Sequence, residues 1–390
     1  MTVVSKNAIV LGIHSFLDHH LKVGIQYIAE GLADAGWQVD YISRFSSPFD
    51  FYGEQRRRRM RRVWIDRQNH RGIDIRKGLK EYAFRALFPA HRGLLRYRWQ
   101  IATYPPLAPS WLNKKRYAVC INDVTANIVY LPRIQTELSI LRLNDLPEGF
   151  SHALSKHIIE WFRDAIRTNR YNEIWAAHAP LADYVLELNQ ENRVVTIPNG
   201  VEEKFLIAAI DAPRKLKTAV FIGSVEPWVD QKLLEKTASL LPDWQFDVIG
   251  PLHRPWSGKA ANFRWLPPIA KATVPETLAR YQVGLIPLRE VAGHVAYMEK
   301  PLKFYEYIGA GLGVASTDVG ALRAGMGDLA SYGNTANEFA GAILREAARA
   351  SQRSTATCRE IIVAHCWPKV LQTMRGRLEQ LQARKAVDGR

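Results

Sequence analysis

The amino-acid sequence predicts an α/β protein made of two doubly wound parallel sheets, and three features of the chain predict it. Short apolar, β-branched runs alternate with helical stretches, the pattern left by parallel strands joined through crossover helices. The alternation restarts near the middle, after the turn Pro198-Asn199-Gly200-Val201 and the charged stretch Asp211 to Lys217, so the chain reads as two similar halves. Its 390 residues, 47% apolar and 23% charged, suffice for two domains with a core each. The expected division is 1–200, 201–365 and a terminal helix over 366–390.

In the first half, AIVLGI at Ala8 to Ile13 reads as a buried strand, His19 to Ala35 as an amphipathic helix closed by Gly36, and QVDYIS at Gln38 to Ser43 as a second strand. Ligands of such sheets bind outside the carboxyl ends of the strands. The loop HSFLDHH therefore faces a cleft, and His14, Asp18, His19 and His20 become candidates for contacting an acceptor or a phosphate. The competing reading has Asp18 capping the helix and the histidines solvated. Tyr117 to Ile121 and Leu138 to Leu143 continue the strands, and Asp145 follows at a carboxyl end. With Glu148 three residues on, Asp145 also fits a capping arrangement for a helix running to about Thr168. EIWAAH from Glu173, a short helix from Pro180 and RVVTI from Arg193 complete the half.

In the second half, Thr218 to Gly223 is a strand and Gly223-Ser224 opens a loop where the backbone could approach a diphosphate, ahead of a helix from about Asp230. FDVIGP, FRWLP and VGLIPL follow as strands, and a loop Arg289 to Lys300 leads into EKPLKFYEYIGAGLGV at Glu299 to Val314. Pro301 suits a first helical turn, and a helix N-terminus gathers unpaired N–H groups that attract phosphate. Lys303 adds a full positive charge there, and Glu306, one turn on and on the same face, offers a carboxylate to a ribose diol. The expected ligand is a nucleoside diphosphate. GAGLGV is not a dinucleotide fingerprint, because it closes a helix and opens a strand rather than the reverse.

The run Glu306 to Val314 resembles the donor-site helix of two-domain GT-B glycosyltransferases, in which a Glu five residues before a Gly holds the ribose of a nucleotide sugar. Retaining members usually carry a second Glu eight residues earlier; Met298 stands there in this chain, which points toward relatives without the pair. Among these, the context of Lys303 resembles the membrane-associated glucuronosyltransferases of xanthan type. The resemblance implies two Rossmann-like doubly wound domains facing a cleft, with the C-terminal helix from Trp367 crossing back to the first. It also implies a donor site of Gly223, Ser224, His294, Tyr297, Met298, Lys303 and Glu306, with Asp145 as general base of an inverting transfer. UDP-glucuronate is a candidate donor by the same resemblance, and a lipid-linked oligosaccharide the acceptor. Arg289, His294, Lys300 and Lys303 could each meet a uronate carboxylate. No carboxylate cluster calls for a metal, and no cofactor is expected beyond the substrate itself.

Charge is uneven along the chain. Of the net +15, a local balance of +12 falls between Arg56 and Arg98. QRRRRMRR holds Arg56, Arg57, Arg58, Arg59, Arg61 and Arg62, with Trp64 close by and further aromatics beyond. Basic residues interleaved with aromatics suit an anionic membrane surface. A solvated basic face and a nucleic-acid surface are the other readings of this stretch, taken as an insertion over about 45–115. No run approaches the roughly 20 apolar residues of a membrane span. The N-terminus lacks a signal-peptide layout, and Cys120, Cys358 and Cys366 are too scattered for a disulfide framework. The expected location is the cytoplasm, peripheral on the inner face of the plasma membrane. Rival activities are a GT-B sugar-nucleotide epimerase, which needs no basic insertion, and a nucleic-acid-binding protein, which leaves Lys303 and Glu306 without a purpose.

Overall fold

The computed structural model describes residues 6–17, 22–46, 72–88, 97–150, 154–205, 214–252, 260–291, 293, 295–352 and 355–388. The chain forms two compact units, one of Met1–Ile197 with Leu371–Arg390 and one of Pro198–Val370.

The first unit carries eight strands: β1 (Asn7–Leu11), β2 (Gln38–Ser46), β3 (Ile73–Arg76), β4 (Leu79–Arg85), β5 (Arg116–Asp123), β6 (Gln135–Leu143), β7 (Glu173–Ala176) and β8 (Val194–Thr196). They lie in the order β3-β4-β2-β1-β5-β6-β7-β8, parallel throughout except for β3 against β4. The chain winds outward from β1 through β2 to β4 and then recrosses to β5, so the topological switch point lies between β1 and β5. Part of the stretch read as an insertion is therefore sheet: β4 pairs in parallel with β2, from Val39 opposite Leu79 onward. LKEYAFR alternates buried Leu79, Glu81 and Ala83 with an exposed Lys80, so period 2 was present beneath the positive charge.

The helix after β1 starts at Gly24 rather than His19, and the Gln26 side chain accepts from the Val23 N–H at its start. Trp367–Asp388 is one long helix, of which the part from Leu371 belongs to the first unit. There Leu371 lies over Gly31, so close that a Cβ on Gly31 would come within 2.6 Å of Leu371 Cδ1. Arg377 donates from Nε (3.2 Å) and Nη2 to Glu173, which is wholly buried on β7.

The second unit carries β9 (Thr218–Ile222), β10 (Gln245–Ile249), β11 (Phe263–Leu266), β12 (Val283–Ile286), β13 (Gly313–Ser316) and β14 (Ser331–Tyr332), in the order β11-β10-β9-β12-β13-β14. Every pairing is parallel, and the switch point falls between β9 and β12. The strands are apolar on both faces, as parallel strands under helices must be, with Phe221, Phe246, Leu285 and Val314 in one core.

Candidate functional site

In the second unit Gly223 and Lys303 meet at the β9–β12 switch point. The helix Leu302–Gly309 follows Pro301, which is extended (φ −60°, ψ 148°), and no side chain caps its N-terminus. Tyr307 seats this helix on the sheet. Its hydroxyl accepts from Ile222 N (3.2 Å) at the end of β9 and donates to Leu285 O (3.3 Å) on β12, and its ring fills the space a Cβ on Gly284 would need. At the other end Arg214 donates to the carbonyls of Gly311 (2.5 Å) and Ala310 (3.4 Å), and Gly311 turns the chain at φ +76°.

That seating brings Lys303 over Gly223. Gly223 has φ +132°, and a Cβ there would lie 2.7 Å from Lys303 Cε and 2.9 Å from Nζ. The ammonium also stands 5.3 Å from the Phe221 ring centroid. The second glycine turn closes against the first, because a Cβ on Gly250 (φ +147°) would strike Gly223 O at 2.1 Å. The result is a backbone floor at the end of β9 with a lysine above it and a helix N-terminus beside it, a suitable cradle for an anion. One turn on, Glu306 is buried and its Oε1 meets Lys271 Nζ at 2.5 Å, with Lys271 5.6 Å from the Phe205 ring centroid.

Ser224 is exposed and donates to Glu226 Oε1 (2.6 Å). Tyr297 and Met298 are half-buried in the turn before the helix, Met298 packing against the core. The helix is buried from Phe304 to Gly309, which makes it a core helix. His294 lies outside the described residues.

In the first unit, Asp145 sits half-buried after β6, beside the carboxyl end of β5. The capping reading is overturned: residues Pro147–Phe150 form a separate 3-10 turn, and the helix Lys156–Arg167 is capped by Ser155, whose hydroxyl accepts from His157 N (3.3 Å). Glu148 instead accepts from Tyr184 Oη (3.0 Å) and pairs with Arg163 (3.2 Å). Asp123, at the end of β5, is opposite Arg142 in register and accepts on Oδ1 from Val124 N (2.9 Å) and Asn144 Nδ2 (3.0 Å). Burial pushes the Asp123 carboxyl up to about 6 and Asp145 adds to the rise, against those hydrogen bonds and Arg142. Arg142 is fully buried, donates to Ile197 O (2.5 Å), and is pulled down to about 10 by burial, which leaves it charged at neutral pH. The side-chain oxygens of Asn122 and Asn144 have no hydrogen-bond donor within the described chain.

His14 follows β1, where its carbonyl accepts from Tyr41 Oη (2.9 Å), and Asn127 ties the ends of β1 and β2 by donating to Gly12 O (2.7 Å) and Ser43 O (3.0 Å). Asp18, His19, His20, the arginines 56–59, 61 and 62, and Trp64 lie outside the described residues. Lys271, Asp123 and Arg142 were not singled out from the sequence. Only Arg142 carried a signal, as a lone cation inside the apolar strand LSILRL. Among the described residues no group of three or more His, Cys, Asp or Glu could hold a metal ion, and no helix is long and apolar enough to cross a membrane.

Similar architectures are found among solved structures. Sucrose-phosphate synthase from Thermosynechococcus elongatus aligns at TM-score 0.73 with 14% identity, over 97% of this chain and 99% of that one. Both of its sheets and their helices thus have counterparts here. The chain has the GT-B fold. A glycosyltransferase from Rickettsia africae aligns at TM-score 0.60 with 10% identity over 97% and 99% of the two chains. Anabaena HepE in complex with UDP-glucose, another GT-B neighbour, aligns at 0.60 with 11% identity over 96% and 99%. In sequence, a Bacillus subtilis (strain 168) protein described as a teichuronic acid biosynthesis glycosyltransferase, TuaH, is 28% identical over 142 residues. That match spans about a third of each chain, 33% of this one and 35% of the relative. No family model matches the GT-B chain described here.

Proposed function

We propose that this protein is a glycosyltransferase that moves a sugar from a UDP-linked donor to a lipid-linked glycan acceptor at an anionic membrane surface. The observation that carries the reading is Lys303 held over the open backbone of Gly223 at the switch point of the second sheet, with Glu306 one turn further along the same helix. The diphosphate lies on this floor, and Lys303 with the helix N-terminus stabilises the charge that grows on it as the glycosidic bond breaks, without recourse to a bound metal. Glu306, its orientation fixed by Lys271, accepts from the ribose diol. Asp145 takes the acceptor hydroxyl proton as oxygen attacks the anomeric carbon, which inverts its configuration. UDP-glucose bound to a neighbour of the same fold supports the choice of base, and glucuronate is the sugar suggested by the Lys303 context.

Membrane association rests on the +12 stretch together with Leu87, Tyr97, Trp99 and Leu107, which are exposed along its described borders. Thermal-shift measurement with UDP, GDP and their common sugars, on wild type and Glu306→Ala, tests the donor half. UDP compounds at about 100 times their dissociation constant should add roughly 2.7 kcal/mol of stability to wild type and little to the variant. No nucleotide effect at millimolar concentration would remove the central element of this reading.

A further inference from the structure

We infer that Asp123 is a positioning residue for the general base, held beside Asp145 by the Asn144 side chain so that its negative charge offsets Arg142 and keeps Asp145 basic. The inference rests on the assignment of Asp145 as base.

The geometry is specific. Asp123 ends β5 and Arg142 stands opposite it on β6, so a wholly buried guanidinium lies one strand away from a nearly buried carboxylate. Three residues after Arg142 the chain reaches Asp145, and the residue just before it, Asn144, reaches back to Asp123 Oδ1 at 3.0 Å. That bond ties the turn bearing Asp145 to the end of the neighbouring strand. Asp123 accepts one hydrogen bond from its own next N–H and one from Asn144 on the neighbouring strand's exit, and it is buried. A buried arginine without a nearby carboxylate would depress the basicity of Asp145 and weaken it as a proton acceptor.

The charged and titratable groups around Asp123 are few. Arg142 faces it from β6, Asp145 from the exit of β6, and Tyr41 from β2, with Glu81 of β4 facing Tyr41 in turn. Tyr41 is held well above its ordinary value by burial and by Glu81 and Asp123, so it stays neutral through the working range. Asp123 therefore faces Asp145 on a fixed cationic background, its carboxyl raised to about 6 first by burial, with the Asp145 charge the smallest contribution to that rise. In the transfer, the acceptor O–H proton goes to Asp145 as the new C–O bond forms. The bond from the anomeric carbon to the diphosphate oxygen breaks with its electron pair leaving on the diphosphate. Asp123 exchanges no proton with substrate.

The test follows UDP release from UDP-glucuronate or UDP-glucose, with a membrane lipid extract as acceptor source, across about pH 4.5 to 9. Asp145→Asn comes first: a folded variant that keeps the wild-type rate ends the base assignment, whatever Asp123 does. With the rate lost there, Asp123→Asn should move the acid limb of kcat to lower pH by about one unit, lower the plateau several-fold, and leave the donor KM unchanged. Asn144→Ala, which withdraws a donor from Asp123 and leaves its carboxyl more readily protonated, should move the limb the same way by a smaller step. A purely structural role would scale the rate at every pH alike, so unmoved limbs in both variants overturn the inference. If Asp123→Asn does not fold, Asn144→Ala decides alone. Carboxyl carbon NMR of wild type labelled at aspartate then serves as the second reading: two coupled steps support the pairing and independent ones refute it.

Discussion

Lys271 Nζ stands 2.5 Å from Glu306 Oε1, and the two side chains are only 21% and 7% exposed. A carboxylate this far from water needs its cation, and the lysine comes from the loop after β11, not from the helix that carries the glutamate. Replacing Lys271 with Met should cost about 2 kcal/mol of stability by urea denaturation, since it leaves the carboxylate buried without its charge partner. It should also narrow the difference in thermal shift between UDP and 2′-deoxy-UDP, which reports the ribose contact directly.

Lys303→Ala removes the charge placed over Gly223 while leaving Tyr307 and the rest of the helix packing in place. Turnover of the UDP-sugar should fall about 10²- to 10³-fold, mostly in kcat. Unfolding midpoints should stay close to wild type, because the lysine is half-exposed.

Gly223→Ala attacks the same contact from below. The added methyl would lie 2.7 Å from Lys303 Cε on a backbone at φ +132°. Strain of about 1 to 3 kcal/mol and loss of UDP binding by calorimetry are expected together. Gly36→Ala, also at positive φ but with nothing within 4 Å of its Cβ, separates backbone strain from displacement of the lysine.

Stability should also depend on pH through Asp123. Its folded value near 6 lies above the ordinary 3.8, so the folded state binds more protons between those values. Stability therefore falls as pH rises from about 4 to about 6 and levels off above, by up to about 3 kcal/mol. Asp123→Asn should flatten that part of the curve in urea titrations at each pH.

Trp99, 60% exposed and stacked edge-on against Phe88 at 5.7 Å, offers a probe of the surface beside the basic stretch. Trp99→Ser should weaken co-sedimentation with phosphatidylglycerol vesicles while leaving UDP binding intact. Equal sedimentation of both proteins would count against insertion at this point.

The parallel sheets were legible because their strands are apolar on both faces, and Lys303 and Glu306 because helical spacing puts both on one face. What escaped was of two kinds. β3 and β4 carry the charged Asp74, Arg76 and Lys80 at exposed alternate positions, so charge concealed the period. Lys271 and Asp123 lie in loops or at strand ends, far in sequence from the groups they meet; only the closed sheet brings Asp123 and Asn144 together across 21 residues of chain. The capping pattern at Asp145 and Glu148 misled for a related reason. Ser155, closer to the helical run, satisfies the same N–H groups with a hydroxyl.

The first unit is discontinuous in sequence, since its last element is supplied by Leu371 and the residues after it. A ribosome making this chain synthesises the whole of the second unit before the residues that cover Gly31 and neutralise Glu173. The nascent first unit must therefore wait, with an apolar helix flank and a buried-type carboxylate still open to solvent, until Leu371 and the residues after it have been made. Loss of Leu371 and the residues after it would strike the fold at its beginning, and a nonsense change at that point would read out as an unstable amino-terminal half.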